Sequence, residues 1–286
     1  MDSRSLVRRL CADPLCAIIG RRNFYRLALF LVREARRDVP NSFATNGEQF
    51  AQEILLGTTF ESSPLVVFDV GANVGDWTMS LLSSAQPKSR TLRIHAFEPC
   101  AGTFETLTKR LAQADGTSVI AVNKGCSSAS GMATMTNYGP NCEINTICEP
   151  IGDNPAQSSK QEIQLTTVDD YCLANHIAHI DFLKIDAEGH DCEIIAGAMA
   201  MLRANAIAMV QFEYNWRWIG ARHFLRDAFN LLKPLNYSIG KLTQNGVEFY
   251  PEWKWQMETF WEGNYIACLP EIARSFTHVD PDWLFR

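Results

Sequence analysis

Leu65-Val66-Val67-Phe68-Asp69-Val70-Gly71-Ala72-Asn73-Val74-Gly75-Asp76-Trp77 reads as a strand, a glycine turn and the start of a helix. Leu65–Val70 is an apolar, valine-rich run of strand length, and 75–83 continues at helical spacing. Gly71 and Gly75 let the backbone turn sharply and approach a ligand closely, while Asp69 places a carboxylate at the strand's end. The turn is not Gly-x-Gly-x-x-Gly, because Asn73 stands at the second glycine position. That departure weakens a pyrophosphate-binding reading and suits a cationic ligand better. The plainer alternative is an ordinary tight strand-to-helix turn.

Working outward, short apolar runs alternate with helical patterns. Leu92–Phe97 is a second strand followed by a helix over 103–112, and Ser118–Val122 is a third strand. Ile180–Ile185 is a fourth, with a helix over 191–202, and 206–212 a fifth. Near-continuous apolar strands alternating with helices indicate a parallel sheet covered on both faces. After a helix over 222–232, runs at 237–242 and 247–250 flank Gln244-Asn245-Gly246, a strong hairpin signal, and 264–269 is a last strand. The fold expected is α/β. Between the third and fourth strands, 131–138 and 162–167 read as an inserted hairpin around a loop with Gly139, Pro140, Pro150, Gly152 and Pro155, expected to be a lid. The chain divides into an N-terminal helical arm over 1–60 and an α/β domain over 61–286 with that insertion at about 131–167.

The 286 residues are 47% hydrophobic and 20% charged, with a formal net charge of −6, an ordinary globular mixture that can bury a core. The acidic balance argues against a nucleic-acid partner, whose phosphates need a basic surface. The nine cysteines form no Cys-x-x-Cys pair, so neither a disulfide framework nor a metal cluster is indicated, and a cytoplasmic location is expected. Apolar runs near the N-terminus (16–20 and 27–32) are too short to span a bilayer, and Asp13 and Arg21-Arg22 spoil a signal-peptide reading of 10–20. Residues 1–38 hold nine arginines against four carboxylates, a net of +5 that leaves −11 for the remainder. The arm is expected to pack as a helix with solvated arginines; the sharper alternative is a basic amphipathic helix that touches an anionic membrane surface or an acidic partner.

Ionisable groups gather at the strand ends. Glu98, in Phe97-Glu98-Pro99, is placed to accept hydrogen bonds from a ribose diol. Asp186, Glu188 and His190 alternate just past the fourth strand, and Glu213 ends the fifth. Each has a structural alternative, since first-turn carboxylates favour a helix N-terminus and a lone histidine is often structural.

The segment Asp69 to Gly75, Phe97-Glu98-Pro99, Asn123-Lys124-Gly125-Cys126 with Gly131, and Asp181-Phe182-Leu183-Lys184-Ile185-Asp186-Ala187-Glu188-Gly189-His190 together resemble the successive motifs of FkbM-family methyltransferases over roughly residues 64–215. The resemblance implies a class I Rossmann-like fold, a mostly parallel seven-stranded sheet with a C-terminal antiparallel hairpin, and S-adenosylmethionine as cofactor. It implies that Asp69, Gly71, Asn73 and Gly75 shape the methionine and ribose pocket, that Glu98 takes the ribose hydroxyls, and that Asn123 and Ser127 lie near the adenine. The activity implied is O-methylation of a sugar, glycan or related hydroxylated metabolite, polyketides included. A hydroxyl needs its proton removed as it attacks. Asp186 is the first-choice base, with Glu188 and His190 as the other candidates. Asp186, Glu188 and Glu213 could instead hold a Mg²⁺ ion. The rival readings are a nicotinamide-dependent oxidoreductase and a non-catalytic binding module on the same fold. Trp216, Trp218, Trp253, Trp255 and Trp261 follow the fifth strand, as stacking faces for sugar or as seals of the C-terminal region.

Overall fold

A computed structural model describes residues 6–38, 42–58, 64–112, 118–139, 141–151 and 158–285. In chain order the strands are β1 (Leu65–Val70), β2 (Leu92–Phe97), β3 (Ser118–Val122), β4 (Gly125–Cys126), β5 (Gly131–Asn137) and β6 (Ser159–Thr166). They continue with β7 (Ile180–Ile185), β8 (Ile207–Tyr214), β9 (Ser238–Thr243), β10 (Gly246–Tyr250) and β11 (Gly263–Cys268). The main sheet runs β10-β9-β11-β8-β7-β1-β2-β3, and a small sheet runs β4-β6-β5.

Every residue of β1 and β7 is buried, as a strand covered by helices on both faces requires. The strands β3, β2, β1, β7 and β8 pair in parallel, and β11, β9 and β10 join antiparallel. The main sheet has eight strands where seven were expected. Both arms of the Asn245-Gly246 hairpin enter it, and β11 inserts between β8 and β9.

Two registers position the site. Val70 of β1 pairs with Phe97 of β2 and with Ile185 of β7, so the three strands end flush. The residues that follow (Gly71, Glu98 and Asp186) therefore emerge side by side where the strand order reverses, the crevice in which open α/β sheets bind ligands. Ile185 in turn pairs with Phe212, which brings Glu213 alongside.

Within the insertion, β5 and β6 pair antiparallel, and the second arm begins at Ser159 rather than at 162. Of its connecting loop, 141–151 is described; Pro140, Gly152 and Pro155 lie outside the described residues. The helix expected over 191–202 is two, Asp191–Ala196 and Met199–Arg203. The break falls at Gly197, where a Cβ would come 2.0 Å from the Ser127 carbonyl oxygen.

Asn41–Pro281 form one compact unit, and Met1–Pro40 with Asp282–Arg286 another. Helix Glu48–Gly57 accordingly belongs with the sheet rather than with the arm expected over 1–60. Its Ala51, Leu55 and Leu56 are buried, and buried Gln52 donates through Nε2 to the Trp77 carbonyl at 3.1 Å. In the other unit, helix Asp13–Ala35 is kinked at Gly20 (φ +78°) and contains no buried residue. The arginine at position 4 lies outside the described residues. Among the described residues no helix is long and apolar enough to cross a membrane.

Candidate active site

The turn after β1 closes against its neighbours through backbone bonds. Gly71 and Ala72 N–H both donate to the Phe97 carbonyl, at 3.1 and 2.9 Å, and the Asn73 N–H donates to Glu98 Oε2 at 3.1 Å. Gly71 adopts φ +78°, and a Cβ there would lie 1.8 Å from the Asp186 carbonyl oxygen. Only glycine lets the turn and the end of β7 approach so closely. Asn73 is held at φ +47°, a left-handed conformation that asparagine tolerates.

Two cavities open at this end of the sheet and share Gly71, Asn73, Glu143, Asp186 and Glu188. The smaller, of about 630 Å³, runs from Glu98 and Phe97 to an apolar wall of Cys126, Met135, Ile163 and Leu165 supplied by the small sheet. The larger, of about 1130 Å³, is polar: Glu48, Lys184, Glu213, Asn215, Trp216, Arg217 and Glu262 line it. The described part of the inserted loop reaches both, through Cys142 to Ile147, and Thr146 Oγ1 donates to the Glu188 carbonyl at 2.9 Å.

A buried cation organises the carboxylates. Lys184, in register with Asp69, places its ammonium 3.1 Å from Asp69 Oδ1 and 3.5 Å from Asp186 Oδ2. Burial alone would favour loss of the Lys184 proton, but Asp69, Asp186 and Glu48 outweigh it and hold the lysine charged. Burial raises the pKa of Glu48, whose carboxylate accepts from Asn46 Nδ2 at 2.8 Å and Gln211 Nε2 at 3.0 Å. Burial and the Asp186 charge likewise raise Glu213, which accepts from Asn215 Nδ2 at 2.7 Å, and push Asp191 up to about 7. Glu98 is pushed up to about 7 by burial, against two backbone donors, Cys100 N–H (2.7 Å) and Asn73 N–H.

The sequence-derived residues divide by position. Gly71, Asn73, Glu98, Asp186, Glu188 and His190 line the cleft. Gly75 caps helix Asp76–Ala85 behind the turn. Asp69 does not face the cleft as expected: it is 0% exposed, accepts from Thr78 Oγ1 at 2.7 Å and pairs with Lys184. Asn123 also stands back, its Nδ2 donating to the Glu98 carbonyl at 2.8 Å, so it props the β2 tip. Ser127 is buried 2.9 Å from His190 Nε2. His190 is not poised near neutral pH, because burial lowers it to about 4.

Burial and Asp186 raise the Glu188 carboxyl, opposed by the Arg217 guanidinium 2.6 Å away. Asp186 keeps the most open carboxylate of the Asp69–Lys184–Asp186 set, its side chain 39% exposed. Among the described residues no group of His, Cys, Asp or Glu is arranged to hold a metal ion. Of the three carboxylates named for a possible Mg²⁺, Asp186 pairs with Lys184, Glu188 pairs with Arg217, and Glu213 accepts from Asn215. Of the tryptophans, Trp218 is core, Trp255 is exposed, and Trp216 lines the larger cavity beneath the Arg217 guanidinium at 4.3 Å.

Sequence reasoning missed Lys184, Glu48, Arg217 and the apolar wall. Only Lys184 carried a signal, a lysine inside a run otherwise buried on both faces.

A profile of the family described as Methyltransferase FkbM domain matches residues 69–239. The chain is similar to a hexuronic acid methyltransferase, AglP, of Haloferax volcanii, with 29% identity over 170 residues covering 58% of this chain and 60% of that protein. It is also similar to the methyltransferase sdnD of Sordaria araneosa, at 27% identity over 163 residues covering 48% of this chain and 61% of the relative. The chain thus spans about 60% of the length of the curated relatives it matches. Among solved structures it is similar to methyltransferase FkbM from Methylobacillus flagellatus, with 17% identity, 74% of this chain and 45% of that chain covered, and a TM-score of 0.46.

Proposed function

The chain belongs to the FkbM methyltransferase family, and on that premise we propose that it transfers a methyl group from S-adenosylmethionine to a hydroxyl of a sugar, glycan or related metabolite. The observation that carries this reading is the flush ending of β1, β2 and β7, which sets the Gly71–Asn73 turn, Glu98 and Asp186 around one cleft.

The residues present fit the donor. Asn73 Oδ1 is a buried acceptor with no partner, and it belongs to a residue that lines both cavities. The carboxylates of the larger cavity suit a cation, and the apolar wall of the smaller suits a planar base. Bound there, S-adenosylmethionine would supply an electrophilic methyl group on a cationic sulfur. Glu98 accepts the ribose hydroxyls with the lone pairs that its two backbone donors leave over.

Asp186 stands where the two cavities meet and takes the acceptor's hydroxyl proton at a carboxylate oxygen. Lys184 orients it through Oδ2, and the Glu188–Arg217 pair positions the acceptor beside it. Similarity to a hexuronic acid methyltransferase supports a sugar acceptor, and Trp216 offers an aromatic face for the ring.

Labelled donor incubated with a panel of sugars and glycans, uronic acids included, is expected to yield a methyl ether located by mass spectrometry. Calorimetric titration that finds NAD binding and no S-adenosylmethionine binding would replace this reading with the oxidoreductase.

Glu98 sets a pH dependence. Ribose hydroxyls donate to its ionised form, so donor affinity is expected to rise as pH increases through about 7. Glu98→Gln should remove that component of the profile and weaken binding by about 1–3 kcal/mol. An unchanged profile in the variant disproves the ribose contact.

A further inference from the structure

The arm unit presents an apolar face whose exposure the methyl-transfer site does not explain. Beyond the kink at Gly20, Phe24, Leu27, Ala28, Leu31 and Ala35 recur at i, i+3, i+4, i+7 and i+11, the spacing of one helix side. Tyr25 and Val32 widen it. Within its own unit none of this helix is buried, and Leu31 is 56% exposed. Apolar surface of that extent marks an interaction face.

Charge chooses the occupant. Arg22, Arg26 and Arg33 share the other side of the same helix and are exposed. The helix is about 10–12 Å across, so these charges lie within about one Debye length of any surface the apolar side touches. A second copy packed through the same face would bury the apolar side but leave the arginines on the outer sides with no opposite charge. A bilayer carrying anionic headgroups would bury the apolar side and attract the arginines together, their long stems reaching toward the phosphates. Residues 21–35 span about 22 Å at 1.5 Å per residue, and the helix cannot cross a membrane. We infer that the part of this helix beyond Gly20, residues 21–35, lies flat in the headgroup layer of an anionic lipid surface and holds the enzyme there.

The test sediments the full-length protein with vesicles of phosphatidylcholine alone or mixed with phosphatidylglycerol. Binding to the mixed vesicles is expected to be at least about tenfold stronger, and to weaken with salt. Leu27→Ser/Leu31→Ser should lose binding to both vesicle types, and Arg22→Glu/Arg26→Glu should lose the anionic preference, with unchanged circular dichroism and donor affinity. Failure to bind the mixed vesicles overturns the inference, as does binding indifferent to Leu27 and Leu31. Light scattering without lipid that shows an oligomer dissociated by the leucine substitutions would assign the face to a second copy and overturn it equally.

Discussion

Replacing Lys184 with Met is expected to destabilise the fold by about 3–5 kcal/mol, the usual cost of stripping one partner from a buried ion pair. Asp69 is fully buried, and without the ammonium its carboxylate keeps only the Thr78 hydroxyl. Asp186 and Glu48 lose the same cation. The variant's urea midpoint should fall with little change in the slope of the transition. Lys184→Met/Asp69→Asn should recover much of the loss, because an amide opposite a thioether leaves no charge stranded. A single variant within about 1 kcal/mol of the parent, below the typical mutational range for such pairs, would show that Asp69 has another counterion. A double variant no better than the single would place the role of Lys184 in its contact with the Gly71 carbonyl, 3.4 Å from Nζ.

The same pair shows where the sequence stops being informative. Strand ends were legible because their chemistry is local: a glycine turn after β1, Glu98 before Pro99, and Asp186 past an apolar run each carry their meaning in a few neighbours. Asn245-Gly246 fixed a hairpin for the same reason. Whether Asp69 faces ligand or core depends instead on its register opposite Lys184, which is 115 residues away in the chain. No periodicity contains that number. Glu48 is satisfied by Gln211 across a separation of 163 residues, so it drew no attention as an acidic residue at the start of an unremarkable helix. Burial is equally non-local. His190 looks like a base at its ordinary pKa and becomes a poor one, at about 4, only once the fold has closed over it. The order of the C-terminal strands has a similar origin: the hairpin and the last strand were each visible, but the insertion of β11 between β8 and β9 was not.

Asp186→Asn should lower kcat for methyl transfer by about 10²–10⁴-fold, the range for loss of a general base, while donor affinity stays close to the parent's. The amide keeps the shape and still accepts from Lys184, so the cleft and the Asp69–Lys184 pair survive. What it loses is the capacity to take a proton. The two neighbouring candidates are expected to behave differently. Glu188→Gln weakens the 2.6 Å pairing with Arg217, so its defect should fall on acceptor KM more than on kcat. His190→Gln removes a ring that is neutral through the physiological range and joined to Ser127, and kcat should retain its pH profile. Profiles of kcat against pH for the three variants separate the roles. An Asp186→Asn enzyme that keeps the parental rate, beside a His190→Gln enzyme that has lost it, would move the base from the tip of β7 to the smaller cavity and require the acceptor to enter there.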